Sequence, residues 1–395
     1  MNHRILFLSY WSLREPLNAA AVFPYLHLLS ERPGVEHVLL VTLETTDTRF
    51  QPSTDLCIPK VEHRAIGSHL WMPASLSRIE QLWRGWRELV RMVREERISL
   101  IIAKGSMAGA VAHLVHKRTN VPYSVESFEP HSIYMAECGE WSTSGLRYKV
   151  AHHFELLEMQ HARHVMTVTD NHRNDLLAEG HDPERIHMIP SITDLEHFKF
   201  DPMRRTEVRQ VMGLTDADTL GIYVGKFGGL YYDDEAFMIF RRMSDHFPGA
   251  HVLVLSPMDP IPLRAKARKA GIPDDRFHVR VVPHPEVPAY LSAADLAFST
   301  IKPAPIKRYQ CPIKNGEYWA NGLPILMTDG IADDHVLMRK GEGGHVFQSD
   351  FSDLDTAFEG VRTIMMRPGH RVEIAGLARR YKSLDIARAV YDATL

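Results

Sequence analysis

Cysteine is scarce. The three residues Cys57, Cys138 and Cys311 stand far apart with no CxxC spacing, which excludes a disulfide framework and a zinc ribbon. Long apolar runs are missing as well, since nothing approaches the roughly 18 residues of a membrane span, and MNHRILFLSYW turns polar by Ser12, too early for a secretory h-region. A net charge of one sign is also lacking. The 46 basic and 49 acidic residues leave −3, so the broad basic field of a nucleic-acid-binding protein is excluded. The expected location is the cytoplasm, in solution or on the inner face of the membrane. There is no GxGxxG, no P-loop and no HExxH. Glu158-x-x-His161 and Glu184-x-x-His187 have two-ligand spacing, but His187 falls in a strand-like stretch before Pro190 and no bundle supplies further carboxylates, so no metal centre is expected. Asp216-Ala217-Asp218 reads as a turn, and Asp353-Leu354-Asp355 reads as a helix start with Asp353 as its cap.

What is present is globular. With 395 residues, 45% hydrophobic and 24% charged, the chain is long enough for two domains, each with its own core. Strand-like runs alternate with helical stretches throughout, the pattern of helices covering a parallel sheet. The first series of strands is Ile5 to Ser9, Val38 to Thr42, Leu100 to Ala103, Pro122 to Glu126 and Val165 to Thr169. Helices between them include Ala19 to Ser30, Leu76 to Glu96 and Met107 to Thr119. The series restarts after the aperiodic, proline-punctuated IPSITDLEHFKFDPM near Pro190 to Met203. Strands then follow at Gly221 to Gly225, Val252 to Ser256, Val279 to Val282, Leu296 to Ser299 and Pro324 to Thr328, with a helix at Asp234 to His246. Helices at Asp355 to Arg362 and Arg371 to Tyr391 close the chain. The fold class is therefore α/β, with two Rossmann-like domains placed at 1–195 and 196–375.

The segment Cys311 to Leu326, CPIKNGEYWANGLPIL, predicts a short helix opening on a loop and closing at Asn321-Gly322 before a strand. Its first-turn amides at Ile313 and the Lys314 ammonium lie where open parallel sheets bind ligands and where phosphate meets unpaired N–H groups. Glu317, one turn further in, has the acceptor pair that a ribose diol requires. An ordinary helix with solvated Lys and Glu has the same pattern. Gly225-Lys226-Phe227-Gly228-Gly229, at the end of the first strand of the second half, lets backbone approach a phosphate that Lys226 neutralises. A glycine-rich turn with a solvated lysine is the alternative.

Taken in order, HMIPSITDLEHF from His187, IYVGKFGG, PHPEVPAYLSAADLAFS and PIKNGEYWANGLPIL resemble the retaining nucleotide-sugar glycosyltransferases of the two-Rossmann-domain (GT-B) type, family 4. The resemblance covers most of Val165 to Phe347. It implies a nucleotide diphosphate sugar as donor, held against the second domain (196–375) in an interdomain cleft, a hydroxyl acceptor bound by the first domain (1–195), which resembles the family only in layout, and no cofactor or metal. By the same resemblance Gly225, Lys226 and Gly228 hold the diphosphate, Ile313 and Lys314 approach phosphate or sugar, and Glu317 is the second Glu of a Glu-x7-Glu motif that binds ribose. Tyr309 stands where the first Glu belongs. The family's second phosphate-binding basic residue is replaced as well, with Lys302, Lys307 or Arg308 as substitutes. The resemblance also lets residues 376–395 form a helix that packs back on the first domain.

In the first half, VESFEPH follows a strand, and its Glu126, Glu129 and His131 are expected to open on the cleft. Glu126 and His131 are the candidates for the family's functional histidine position. Asn18 to Ala20 stands where relatives carry a glycine pair. The acceptor is expected to be a glycan, a lipid-linked molecule or a small molecule. Trp83 and Trp86 among the arginines of residues 78–97 read either as a peripheral membrane contact or, through Ile79, Leu82, Trp86, Val90 and Val93, as a helix packed on a sheet. An epimerase or phosphorylase on the same fold, or a non-catalytic sugar-nucleotide binder, is the alternative function.

Overall fold

The computed structural model describes residues 3–13, 18–47, 56–68 and 74–395. Two compact units divide at Pro190/Ser191, with Asp385–Leu395 grouped with the first. The first unit contains β1 (His3–Ser9), β2 (Val35–Asp47), β3 (Val61–Ser68), β4 (Leu100–Lys104), β5 (Tyr123–Glu126), β6 (His164–Thr167) and β7 (Ile186–Met188). They form one parallel sheet in the order β3-β2-β1-β4-β5-β6-β7. The second contains β8 (Leu220–Val224), β9 (His251–Leu255), β10 (Phe277–Arg280), β11 (Leu296–Ser299), β12 (Ile325–Thr328) and β13 (Gly344–Phe347), also parallel, in the order β10-β9-β8-β11-β12-β13. Each sheet reverses its winding once, between β1 and β4 and between β8 and β11. Crevices for ligands open at such points, beyond the carboxyl ends of the strands.

The central strands are uninterrupted apolar runs because helices cover both faces. All five residues of β4 are buried. Helix Asp234–His246 shows the complementary logic: Ala236, Phe237, Ile239, Phe240 and Met243 are buried, and the acidic Asp234 and Glu235 occupy the positive first turn. The strand expected around His187 is β7, and the two strands absent from the sequence reading, β3 and β13, are like it edges of their sheets. An edge strand has one neighbour and more solvent, so VEHRAIGS keeps charged residues and β7 and β13 are short.

Two expected helices are broken. Ala19 to Ser30 divides into Asn18–Ala21 and Phe23–Glu31, the second opening at Pro24. Arg371 to Tyr391 divides into His370–Tyr381 and Leu384–Thr394. At that break the Lys382 carbonyl accepts from Thr193 N, and Lys382 Nζ lies 2.7 Å from Asp334 Oδ1. Asp353 does not cap its helix, because Oδ1 accepts instead from Gln348 N at 2.7 Å. Asp218 closes a turn, accepting from Thr215 N and Oγ1 at 2.8 Å each.

Around Trp83 both readings find a residue. Trp83 is exposed with the Arg87 guanidinium 4.9 Å over its ring, while Trp86, Val90 and Val93 pack on the first unit's core. The side chains of Ala19, Ala20, Ile79 and Leu82 lie outside the described residues. Among the described residues, no helix is long and apolar enough to cross a membrane.

Candidate active site

In the second unit, the turn after β8 is built by alternating burial. Phe227 is buried with its ring 4.7 Å from Tyr223 and 4.9 Å from Phe237, whereas the neighbouring Lys226 is exposed. Gly228 and Gly229 take φ of 79° and 59°, a left-handed path that suits glycine. Tyr223 Oη donates to Lys226 O at 2.6 Å and Gly225 N donates to Leu255 O at 3.0 Å, which fixes the turn from both sides.

Helix Ile313–Ala320 begins after Pro312, which stands just outside it, and ends at Gly322 with φ 74°. Tyr318, fully buried, accepts from Val224 N at 2.9 Å, so the helix is bonded to the end of β8. Lys314 thereby reaches the β8 turn. Its Nζ lies 3.4 Å from Val224 O, 4.7 Å from the Tyr223 ring and 4.9 Å from the Tyr231 ring, and a Cβ at Gly225 would come within 3.4 Å of it. Burial lowers the Lys314 ammonium to about 8, partly offset by Glu317.

Glu317, 5% exposed, accepts at Oε1 from the ring Nε2 of His284 at 3.0 Å. That hydrogen bond raises the His284 pKa above the ordinary imidazole value. The sequence reading missed His284. It lies 33 residues away, in the segment PHPEV, and no helical or strand period relates the two. The reading also missed the clamp beneath the helix. Lys382 Nζ bonds Asp334 Oδ1 at 2.7 Å and Cys311 Sγ at 3.2 Å, Asn315 Nδ2 donates to Asp334 Oδ2 at 2.9 Å, and Ser191 Oγ donates to Cys311 O at 2.6 Å. Gly316 faces Thr193 so closely that a Cβ would stand 2.2 Å from Thr193 Oγ1.

Of the substitutes for a second phosphate-binding cation, Lys307 is buried and donates to Leu230 O at 2.6 Å and Lys302 O at 2.5 Å, tying the turn after β8 to the loop after β11. Lys302 is exposed. Arg308 Nη2 donates to Tyr309 Oη at 3.0 Å, with the guanidinium 4.9 Å over the ring. The structure thus brings Gly225, Lys226, Gly228, Ile313, Lys314 and Glu317 to the β8/β11 end of one sheet, with Tyr309 in the loop that leads to them.

In the first unit Glu126 is not an open loop carboxylate. It is 3% exposed, paired with Lys104 and accepting from Tyr391 Oη of the terminal helix. Lys104 Nζ also lies 3.6 Å over the Tyr25 ring. A carboxylate at the last residue of a central strand is enclosed unless its loop moves aside, and here Glu126 ties strand ends to the last helix. His131 opens helix His131–Glu137 with its ring 5.4 Å from Trp141, edge to face, and burial lowers its pKa. Glu129 is half-buried, and burial followed by the nearby Glu155 raises it to about 7. Glu158 of the first Glu-x-x-His pair is buried against Gly109, and His187 of the second lies in β7, 3.1 Å from His164.

Two parallel Rossmann-like sheets carrying such loops are the two-Rossmann-domain architecture of GT-B glycosyltransferases. Residues 27–191 match the family model described as Glycosyl transferase 4-like domain, a match that lies almost wholly on the first unit. Sucrose-phosphate synthase from Thermosynechococcus elongatus is similar over 99% of this chain and 97% of its own, at 14% identity and a TM-score of 0.73. HepE from Anabaena in complex with UDP is similar over 98% of each chain, at 16% identity and 0.70. A putative UDP-N-acetylglucosamine 2-epimerase from Listeria monocytogenes is similar over 100% of this chain and 96% of its own, at 13% and 0.63. No curated protein matches the chain by sequence.

Proposed function

We propose that the protein transfers a sugar from a nucleotide diphosphate donor, UDP-linked in the first instance, to a hydroxyl acceptor with retention at the anomeric carbon and without a metal ion. The observation that carries this reading is the convergence of Lys314 on the Gly225 turn, with Glu317 one helical turn further along. Fold similarity to proteins described with UDP and with UDP-N-acetylglucosamine supports the choice of base. Lys226, Lys314 and the first amides of helix Ile313–Ala320 stabilise charge on the departing diphosphate. Glu317, oriented by His284, accepts from the ribose hydroxyls. Tyr309 packs against or bonds the donor sugar in place of the family's carboxylate. The bond from C1 to the diphosphate oxygen breaks, the acceptor oxygen joins C1 on the same face, and the acceptor proton passes to the released phosphate. The reaction takes place on the cytoplasmic side, in solution or at a membrane surface.

The test is incubation with a panel of UDP-sugars, with and without mono- and disaccharide acceptors, followed by UDP release and NMR of the product anomer. Acceptor-dependent UDP release with a retained anomer is expected. Interconversion of the donor without acceptor would make the protein an epimerase, and a donor that binds but survives every acceptor would make it a binder.

A further inference from the structure

Helix Leu146–His161 carries two acids, Glu155 and Glu158. Three residues apart on a helix, they share a face, and both are buried. Their surroundings differ. Glu155 accepts from Ser132 N at 2.8 Å and from Ser132 Oγ, which joins it to the first turn of helix His131–Glu137. Glu158, 1% exposed, has no hydrogen-bond partner at either carboxyl oxygen among the described residues. It rests on helix Ser106–Thr119 at Gly109, where a Cβ would stand 2.5 Å from its carboxyl carbon and 2.7 Å from each oxygen. Only glycine leaves room for the carboxyl there.

The polar groups around Glu158 are committed elsewhere. One turn beyond Gly109, the buried His113 shares a 3.0 Å hydrogen bond with Tyr123 Oη of β5, and its ring lies 5.2 Å from that of His161, one turn beyond Glu158. Arg185, just before β7, donates to Met159 O at 2.8 Å and to Ala162 O at 2.7 Å, so its guanidinium serves the end of the helix. Toward helix His131–Glu137 stand Glu155, with His152 3.9 Å from its Oε2, and then Glu129, whose pKa Glu155 helps to raise. An ionised Glu158 would have neither water nor a donor nor a cation, whereas the protonated carboxyl carries no net charge and costs far less to bury.

We propose that Glu158 is a proton-operated latch, whose carboxyl seats helix Leu146–His161 on Gly109 while it holds a proton and releases the seat when the proton leaves. Burial first, and the charge of Glu155 second, raise its pKa well above the ordinary carboxylate value. The sign of the linkage follows. A carboxyl that keeps its proton only in the closed form makes the closed form strongest at acid pH, and between the ordinary carboxyl pKa and its own the opening equilibrium rises about tenfold per pH unit. His113, whose pKa burial lowers, acts in the opposite direction. Since Glu155 holds Ser132, the first turn of helix His131–Glu137 follows the seat.

The test is amide hydrogen exchange on the full chain from about pH 5 to about pH 9, corrected for the intrinsic pH dependence of exchange, in the parent protein, Glu158→Gln and Glu158→Met. The ratio of parent to variant isolates the Glu158 proton, because His113, His161 and Arg185 are common to all three. Protection over residues 146–161 and 106–119 is expected to fall with rising pH in the parent relative to both variants, by about tenfold per unit over at least one unit, while helix Asp234–His246 of the second unit shows no such difference. In carboxyl-labelled protein, a glutamate signal missing from Glu158→Gln should titrate well above the ordinary value. A parent-to-variant ratio independent of pH, or a Glu158 signal that titrates at the ordinary value, would overturn the latch. Failure of both variants to fold would show that the carboxylate has a partner, and would overturn it too.

Discussion

Replacing Lys314 by methionine separates phosphate recognition from folding. In the free protein its ammonium is poorly compensated: among the described residues one 3.4 Å bond to Val224 O and two ring faces are its close contacts, and burial, partly offset by Glu317, lowers its pKa to about 8. A charge-assisted bond lost from such a site costs about 1.5–3 kcal/mol, roughly a 10- to 150-fold rise in Kd. Isothermal titration of Lys314→Met should show this loss for UDP and none for uridine. The melting temperature should stay level or rise, because a weakly paired, half-buried charge has been replaced by an apolar chain of similar length. The pH dependence follows from the direction of the shift. In the proposed site UDP binds the protonated lysine, so affinity should be full below about pH 8 and fall as pH rises through it, approaching the Lys314→Met value by about pH 10. The methionine variant should lack this fall. Unchanged UDP affinity in Lys314→Met, or an equal loss for uridine, would refute the phosphate role.

Glu317→Ala should weaken uridine and UDP alike, by roughly 10- to 150-fold, and should lower the His284 pKa in an NMR titration, since the bond to Glu317 is what raises it. A loss confined to UDP would remove the ribose assignment. Asp334→Ala leaves Lys382 buried without its carboxylate, a cost of about 3–5 kcal/mol. By calorimetry the second unit should then melt on the order of 10 °C lower, and a drop of only a degree or two would show that the clamp beneath the helix matters little. Transfer should persist in excess EDTA with little change in rate, because in the proposed mechanism fixed lysines and amides neutralise the diphosphate. Abolition by EDTA with recovery on magnesium would reject that assignment.

The alternation of apolar runs with amphipathic stretches was sufficient for the fold class, because parallel strands covered on both faces must be apolar throughout and their covering helices must be striped. The same local information located the turn after β8 and the short helix carrying Lys314 and Glu317. A proline before the helix, an Asn-Gly after it and glycines after a strand are signals a few residues long. The edge strands β3 and β13 escaped because an edge tolerates charge and brevity.

What tertiary structure alone decided is which of these polar groups are free. Lys307 and Glu126 look in sequence like exposed loop charges, yet one is consumed by the carbonyls of Leu230 and Lys302 and the other by Lys104 and Tyr391. Among the described residues, the half-buried Glu129, three positions beyond Glu126, has no side-chain hydrogen bond or ion pair. Tyr391 reaches Glu126 across 265 residues and His284 reaches Glu317 across 33. Periodicity describes a residue's own element, whereas a hydrogen bond depends on the approach of another. The chain could therefore state where its helices and strands lie, but only the folded protein shows which side chains those contacts consume and which remain for a ligand.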